Sequence, residues 1–140
     1  FQVEGETVHL SDIRVPMFVV GTETDHVAPW KSVYKIGRYV RSDDFTFLLT
    51  SGGHNAGIVS GPVHPKRAHR VHTRRTGDPV LSSEAWLAAN ERRPGSWWPV
   101  WGEWLASHST PERVPPPEQG APEAGYPPLT DAPGDYVRQR

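Results

Sequence analysis

The chain has 140 residues, 36% of them hydrophobic, with 15 Lys and Arg against 16 Asp and Glu and a formal net charge of −1. So even a balance gives no electrostatic footprint for nucleic acid or an anionic membrane, and with no cysteine neither a disulfide nor a thiolate metal site can be built from these residues. There is no run of about 18 apolar residues, and Phe1-Gln-Val-Glu-Gly-Glu-Thr lacks the basic start and apolar stretch of a secretory signal. A chain without a transmembrane segment, at home in the cytoplasm, is expected, and with Phe instead of Met at its start it is expected to be part of a longer protein.

Val15-Pro16 places a residue without a backbone donor at a strand entrance, so a strand should begin at Met17. Met17-Phe-Val-Val-Gly21 is short, apolar and β-branched, the form of a strand covered on both faces. After Thr22-Glu-Thr-Asp25-His26-Val-Ala-Pro29, the recurrence of Trp30, Val33, Tyr34, Gly37 and Val40 at spacings of three and four predicts a helix over 30–41. Phe45-Thr-Phe-Leu-Leu-Thr50 is a second strand, and it breaks at Ser51-Gly-Gly53 into a turn that presents His54 on a loop.

Residues 61–79 are basic, with Lys66, Arg67, Arg70, Arg74 and Arg75 among His64, His69 and His72. They read as a loop, either solvated or touching the phosphates of a nucleotide-bearing substrate. The histidine spacing fits no dedicated zinc pattern, and no metal is expected. Ser82 is a suitable N-cap for a helix through Trp86 and Leu87 to about Asn90. After Arg93-Pro-Gly-Ser96, a last helix carries Trp97, Trp98, Trp101, Trp104 and Leu105, with Ser96 as its cap. Positions 97, 101, 104, 105 and 108 share one helical face, which favours packing on the sheet over a platform for a sugar or an apolar polymer.

Eight of the 15 prolines fall between Pro111 and Pro133. Residues 1–110 are therefore expected to form an α/β unit, strand-helix-strand followed by helices, and 111–140 a Pro-rich extended or disordered tail.

In a right-handed strand-helix-strand crossover both strands point the same way, which brings Asp25, after the first strand, and His54, after the second, to one sheet edge. A histidine general base needs an acceptor on its second ring nitrogen to fix the tautomer and stabilise the imidazolium, and Asp25 can supply one. The order acid then histidine, each after a strand, is that of the last two members of the α/β-hydrolase triad. The first member is missing: no Gly-x-Ser-x-Gly or Gly-x-Cys-x-Gly elbow occurs, and Ser51 stands too near His54 to serve as one.

Gly21-Thr-Glu-Thr-Asp25-His26-Val-Ala-Pro-Trp30, Ser51-Gly-Gly-His54-Asn-Ala-Gly-Ile-Val59, Trp86-Leu87 and Gly95-Ser-Trp-Trp-Pro99-Val-Trp101 together resemble the C-terminal segment of polyhydroxyalkanoate synthases, most closely the class that polymerises 3-hydroxybutyrate. The resemblance runs from about Leu10 to Leu105, with an echo at Ala132–Val137. It implies the C-terminal part of an α/β-hydrolase fold and a Cys-His-Asp triad that moves (R)-3-hydroxyacyl groups from coenzyme A to a growing polyester. The coenzyme A thioester would be substrate, with no cofactor.

It further implies association with polyester granules in the cytoplasm and a homodimer in the intact enzyme. His54 would deprotonate the cysteine; Asp25 would orient His54 or activate the substrate hydroxyl; His26, beside the acid, would tune it or pack under the helix start. The nucleophile would lie upstream of Phe1, leaving this chain inactive alone. The alternatives are a serine α/β-hydrolase fragment (lipase or depolymerase) and a non-catalytic granule-binding module acting through the tryptophans.

Overall fold

A computed structural model describes residues 2–139. The chain divides into a unit ending at Ser109 and a second beginning at Thr110. The first opens with a hairpin of β1 (Gln2–Val3) and β2 (Glu6–Thr7), whose turn residues Glu4 and Gly5 both take positive φ. Then follow β3 (Met17–Thr22), α1 (Trp30–Tyr34), β4 (Asp44–Thr50), α2 (His54–Ile58), β5 (Ala68–Arg75), α3 (Ser83–Ala89), β6 (Arg93–Pro94) and α4 (Trp98–Ser107).

Four strands form a mixed sheet in the order β3-β4-β5-β6. β3 and β4 are parallel, in register from Met17↔Phe45 to Thr22↔Thr50, as the crossover requires. β5 returns antiparallel along β4 from Asp44↔Arg75 to Thr50↔His69, and β6 adds a short antiparallel pair.

The strands alternate between two covered faces. On one, Phe45, Phe47 and Leu49 of β4 pack with Tyr34, Val40 and Trp86, beneath α1 and α3. Phe47 meets Trp86 edge-on with ring centroids 5.0 Å apart and Tyr34 at 4.9 Å, the T-shaped arrangement that aromatic quadrupoles favour. Lys31 on α1 pairs with Glu84 on α3 at 2.6 Å, and its ammonium holds the Glu84 carboxyl down to about 2. On the other face Phe18 lies against Trp97 and Trp104, beside the buried Thr46, Leu48 and Thr50.

Both predicted strands are present, as is the helix capped by Ser82, whose Oγ accepts from the Ala85 N–H at 3.1 Å. Four expectations need correction. The helix over 30–41 is α-helical only to Tyr34 and tightens into a 3₁₀ turn over Lys35–Arg38. There Gly37 presses its backbone onto the Phe45 ring so closely that a Cβ would sit 2.8 Å from it.

Residues 61–79 are not one loop, for β5 occupies eight of them. The four arginines of this stretch are engaged within the fold: Arg67 and Arg70 donate to the Ala56 and Asn90 carbonyls, Arg74 lies 5.3 Å over the Phe45 ring, and Arg75 pairs with Asp44. Charged heads at the margins hide a strand whose arginine stems serve as its apolar cover.

His54 stands not on a loop but at the first position of α2, a helix too short to leave a periodic signature in sequence. Last, the shared face of α4 packs on the sheet only in part: Trp97, just before it, is buried and Trp104 lies against Phe18, yet Trp101 and Leu105 remain 40% exposed. Between α4 and the sheet a hollow remains, lined by Phe18, Thr46, Val71 and Thr73 on the sheet side and by Val100 and Trp104 on the helix.

The second unit, over residues 110–139, contains an Ala121↔Tyr126 bridge around a 3₁₀ turn at Pro122–Ala124, and a second such turn at Tyr136–Arg138. Its side chains are nearly all exposed. Among the described residues no helix is long and apolar enough to cross a membrane.

Trp86, only 2% exposed, joins α3 to α1 and β4 through Trp30, Tyr34 and Phe47. Trp86→Ala is expected to cost about 3–5 kcal/mol, read as a lower denaturant midpoint at unchanged slope.

Candidate active site

Where β3 and β4 end, backbone bonding continues past the last paired residues. The Glu23 N–H donates to the Thr50 carbonyl at 2.9 Å and the Thr24 N–H to the Gly52 carbonyl at 3.1 Å, lacing the two turns together. Gly52 sits at φ +103°, a conformation that disfavours any side chain. From these turns Asp25 and His54 face one another, and His54 Nδ1 lies 2.9 Å from Asp25 Oδ2.

The Asp25 side chain is only 7% exposed, and every direction around its carboxylate is used. Oδ1 accepts from the Val27 and Ala28 N–H groups at 2.8 and 2.9 Å, a turn in which the aspartate caps the bend that follows it. Oδ2 accepts from Thr22 Oγ1 at 3.2 Å as well as from His54. The Ala28 N–H above all, then His54, then the Val27 N–H hold the carboxyl far below its ordinary range, against an opposing effect of burial.

An ionised carboxylate only accepts, so the Asp25–His54 bond places the His54 proton on Nδ1 and leaves Nε2 with a free lone pair. The His54 side chain is half exposed, and Nε2 meets no hydrogen-bond partner among the described residues. Beside the pair lies a hollow of about 260 Å³ with mostly apolar walls, including Val20, Val33, Ile58 and Val59. The arrangement is that of an oriented imidazole base opening onto an apolar space.

Of the residues singled out in sequence, Asp25 and His54 are brought together. His26 is exposed, and its side chain enters none of the hydrogen bonds around the carboxylate. Ser51 is buried with its Oγ accepting from the Ala68 N–H at 3.0 Å, which occupies it structurally. Two contributors escaped sequence reading. Thr22 is the hydroxyl donor to Asp25, and Gly57 lets α2 approach β3 so closely that a Cβ there would fall 2.5 Å from Thr22 Cγ2. The Gly in His54-Asn-Ala-Gly57 was the available signal, since glycine within a helix often marks a close approach.

No family model matches the chain. By sequence it is similar to several poly(3-hydroxyalkanoate) polymerases. It is 36% identical over 139 residues to poly(3-hydroxyalkanoate) polymerase 2 of Ectopseudomonas oleovorans, covering 99% of this chain and 24% of that one. It is 39% identical over 132 residues to the poly(3-hydroxyalkanoate) polymerase of Methylorubrum extorquens, covering 94% and 20%. With the poly(3-hydroxyalkanoate) polymerase subunit PhaC of Cupriavidus necator it shares 33% over 136 residues, covering 97% and 22%. The chain thus spans about a quarter or less of the length of these curated relatives.

The hydrogen bonds at Asp25 are made to its ionised form. The stability they contribute is therefore present above the ordinary carboxyl pKa of 3.8 and is lost as pH falls through the lowered folded value. Asp25→Asn is expected to be less stable than the parent protein near neutrality, with the gap closing below about pH 4. Denaturant unfolding across that range checks this; a gap independent of pH would contradict it.

Proposed function

The chain is a relative of the poly(3-hydroxyalkanoate) polymerases, and from that premise we propose that it supplies the acid and the base with which such a polymerase moves (R)-3-hydroxyacyl groups from coenzyme A to a growing polyester. The observation that carries this reading is the 2.9 Å bond between a buried, fully bonded carboxylate and a half-exposed histidine at one sheet edge.

The chemistry is acyl transfer in two halves. His54 Nε2 takes the proton of a cysteine thiol contributed from outside these 140 residues, and the thiolate attacks the thioester carbonyl. The C–S bond to coenzyme A then breaks, and its sulfur leaves with the proton held by the imidazolium. In the second half Nε2 removes a proton from the 3-hydroxyl of an acyl unit, the resulting oxygen nucleophile attacks the enzyme thioester to form the ester link, and the cysteine sulfur leaves with the proton held by the imidazolium.

Asp25 orients His54 and stabilises its cation. Support for that role over direct activation of the hydroxyl comes from its surroundings: both carboxylate oxygens are already engaged and the side chain is almost wholly covered. Apolar walls beside the pair suit a hydrocarbon acyl chain and would keep water from the enzyme thioester.

In the complete enzyme, His54→Ala and Asp25→Asn are each expected to lower coenzyme A release by about 100-fold or more without loss of fold. Near-normal polymer yield from either variant would remove the assignment. The chain contains no cysteine, so the isolated 140 residues are expected to release no coenzyme A from 3-hydroxybutyryl-CoA. Release above the buffer rate, followed with a thiol reagent, is the opposing result.

A further inference from the structure

α2 has five residues, little more than one turn, and a helix that short does not hold itself together in water. Its last carbonyls would also lack intrahelical partners. They are met instead by side chains from two distant segments. Arg67 Nη2 donates to the Ala56 carbonyl at 2.7 Å, Trp97 Nε1 to that of Gly57 at 3.0 Å, and Trp98 Nε1 to that of Ile58 at 2.9 Å. Just beyond the helix, Ser96 Oγ donates to the Ser60 carbonyl. The two segments are themselves joined by the Gly95 N–H donating to the Arg67 carbonyl at 2.6 Å. Consecutive helix-end carbonyls are thus held by a clasp made of Arg67 and Ser96-Trp97-Trp98.

We propose that this clasp is a positioning device for His54: Trp98, with Trp97 and Arg67, fixes α2 so that the imidazole at its first position stays in register with Asp25. The proposal rests on the acid–base assignment above. Thr22 blocks movement of α2 toward β3, because Gly57 already touches it. Movement away is opposed by the three side-chain donors, and a withdrawal of less than an ångström would break a 2.9 Å bond. Indole is suited to the task, since its N–H only donates and its rings are rigid. Trp97 is fixed further by stacking on Phe18 and by a tilted contact with the Trp101 ring. The tandem tryptophans are thus used as donors toward the site, a role that neither core packing nor a polymer platform describes.

The test uses the complete enzyme. Trp98→Phe keeps an aromatic ring and removes only the donor; Arg67→Met keeps the stem and removes the donor from the opposite segment, so one variant remains informative if the other folds poorly. Each is expected to lower kcat about 3- to 10-fold with KM within about twofold, the size of one net hydrogen bond. The same substitutions placed in Asp25→Asn are expected to add nothing further, because the register they protect no longer matters there.

A multiplicative loss in the double variants, or unchanged kcat in both single variants, would overturn the clasp while leaving the acid–base pair intact. Full activity of Asp25→Asn alone would instead overturn the underlying assignment. The resonance of the His54 Nδ1 proton gives a second readout: broadening or an upfield move in Trp98→Phe is expected, and an unchanged line would count against the proposal.

Discussion

The parallel pairing of β3 with β4 is the constraint from which the site follows. Two parallel strands whose pairing runs from Met17 and Phe45 to Thr22 and Thr50 end together, so the residues beyond them are delivered to the same edge. Continued backbone bonding through Glu23 and Thr24 carries that register into the turns. Everything chemical at Asp25 and His54 is a consequence of where this ladder stops. The aromatic layer of Tyr34, Phe47 and Trp86 supplies the burial that holds it in place.

One carboxylate shows how the fold converts position into chemistry. Four donors around Asp25 favour its charged form more than burial opposes it. The charge then dictates the tautomer of His54 and frees Nε2. Neither residue has to be unusual by itself; the arrangement of backbone N–H groups over Val27 and Ala28 does what an isolated aspartate in water cannot.

The strand pair, the Ser82 cap and the meeting of Asp25 with His54 were legible because each rests on short-range pattern or on the handedness of a crossover. Three features were not. β5 carries so many arginines and histidines that its period is masked, and only pairing with β4 turns their stems into cover. The face of α4 was readable as apolar, but whether a sheet lies beneath Trp101 and Leu105 is a long-range matter that periodicity does not contain. The bonds from Trp97 and Trp98 to α2 span 40 positions and leave no local trace.

The close fit of Gly57 against Thr22 bears on which parts of this chain can change length. From Thr22 to Asp25 and from Thr50 to Gly57 the path is fixed residue by residue: a single insertion would turn the carboxylate or the imidazole off its partner, and any side chain at 57 would force α2 outward. The crossover that follows Ala28 is held by the face it presents, with Tyr34, Gly37 and Val40 against β4, and not by a count of residues to the Asp25–His54 bond. The two turns therefore behave as a ruler of set length, whereas the crossover answers to packing alone.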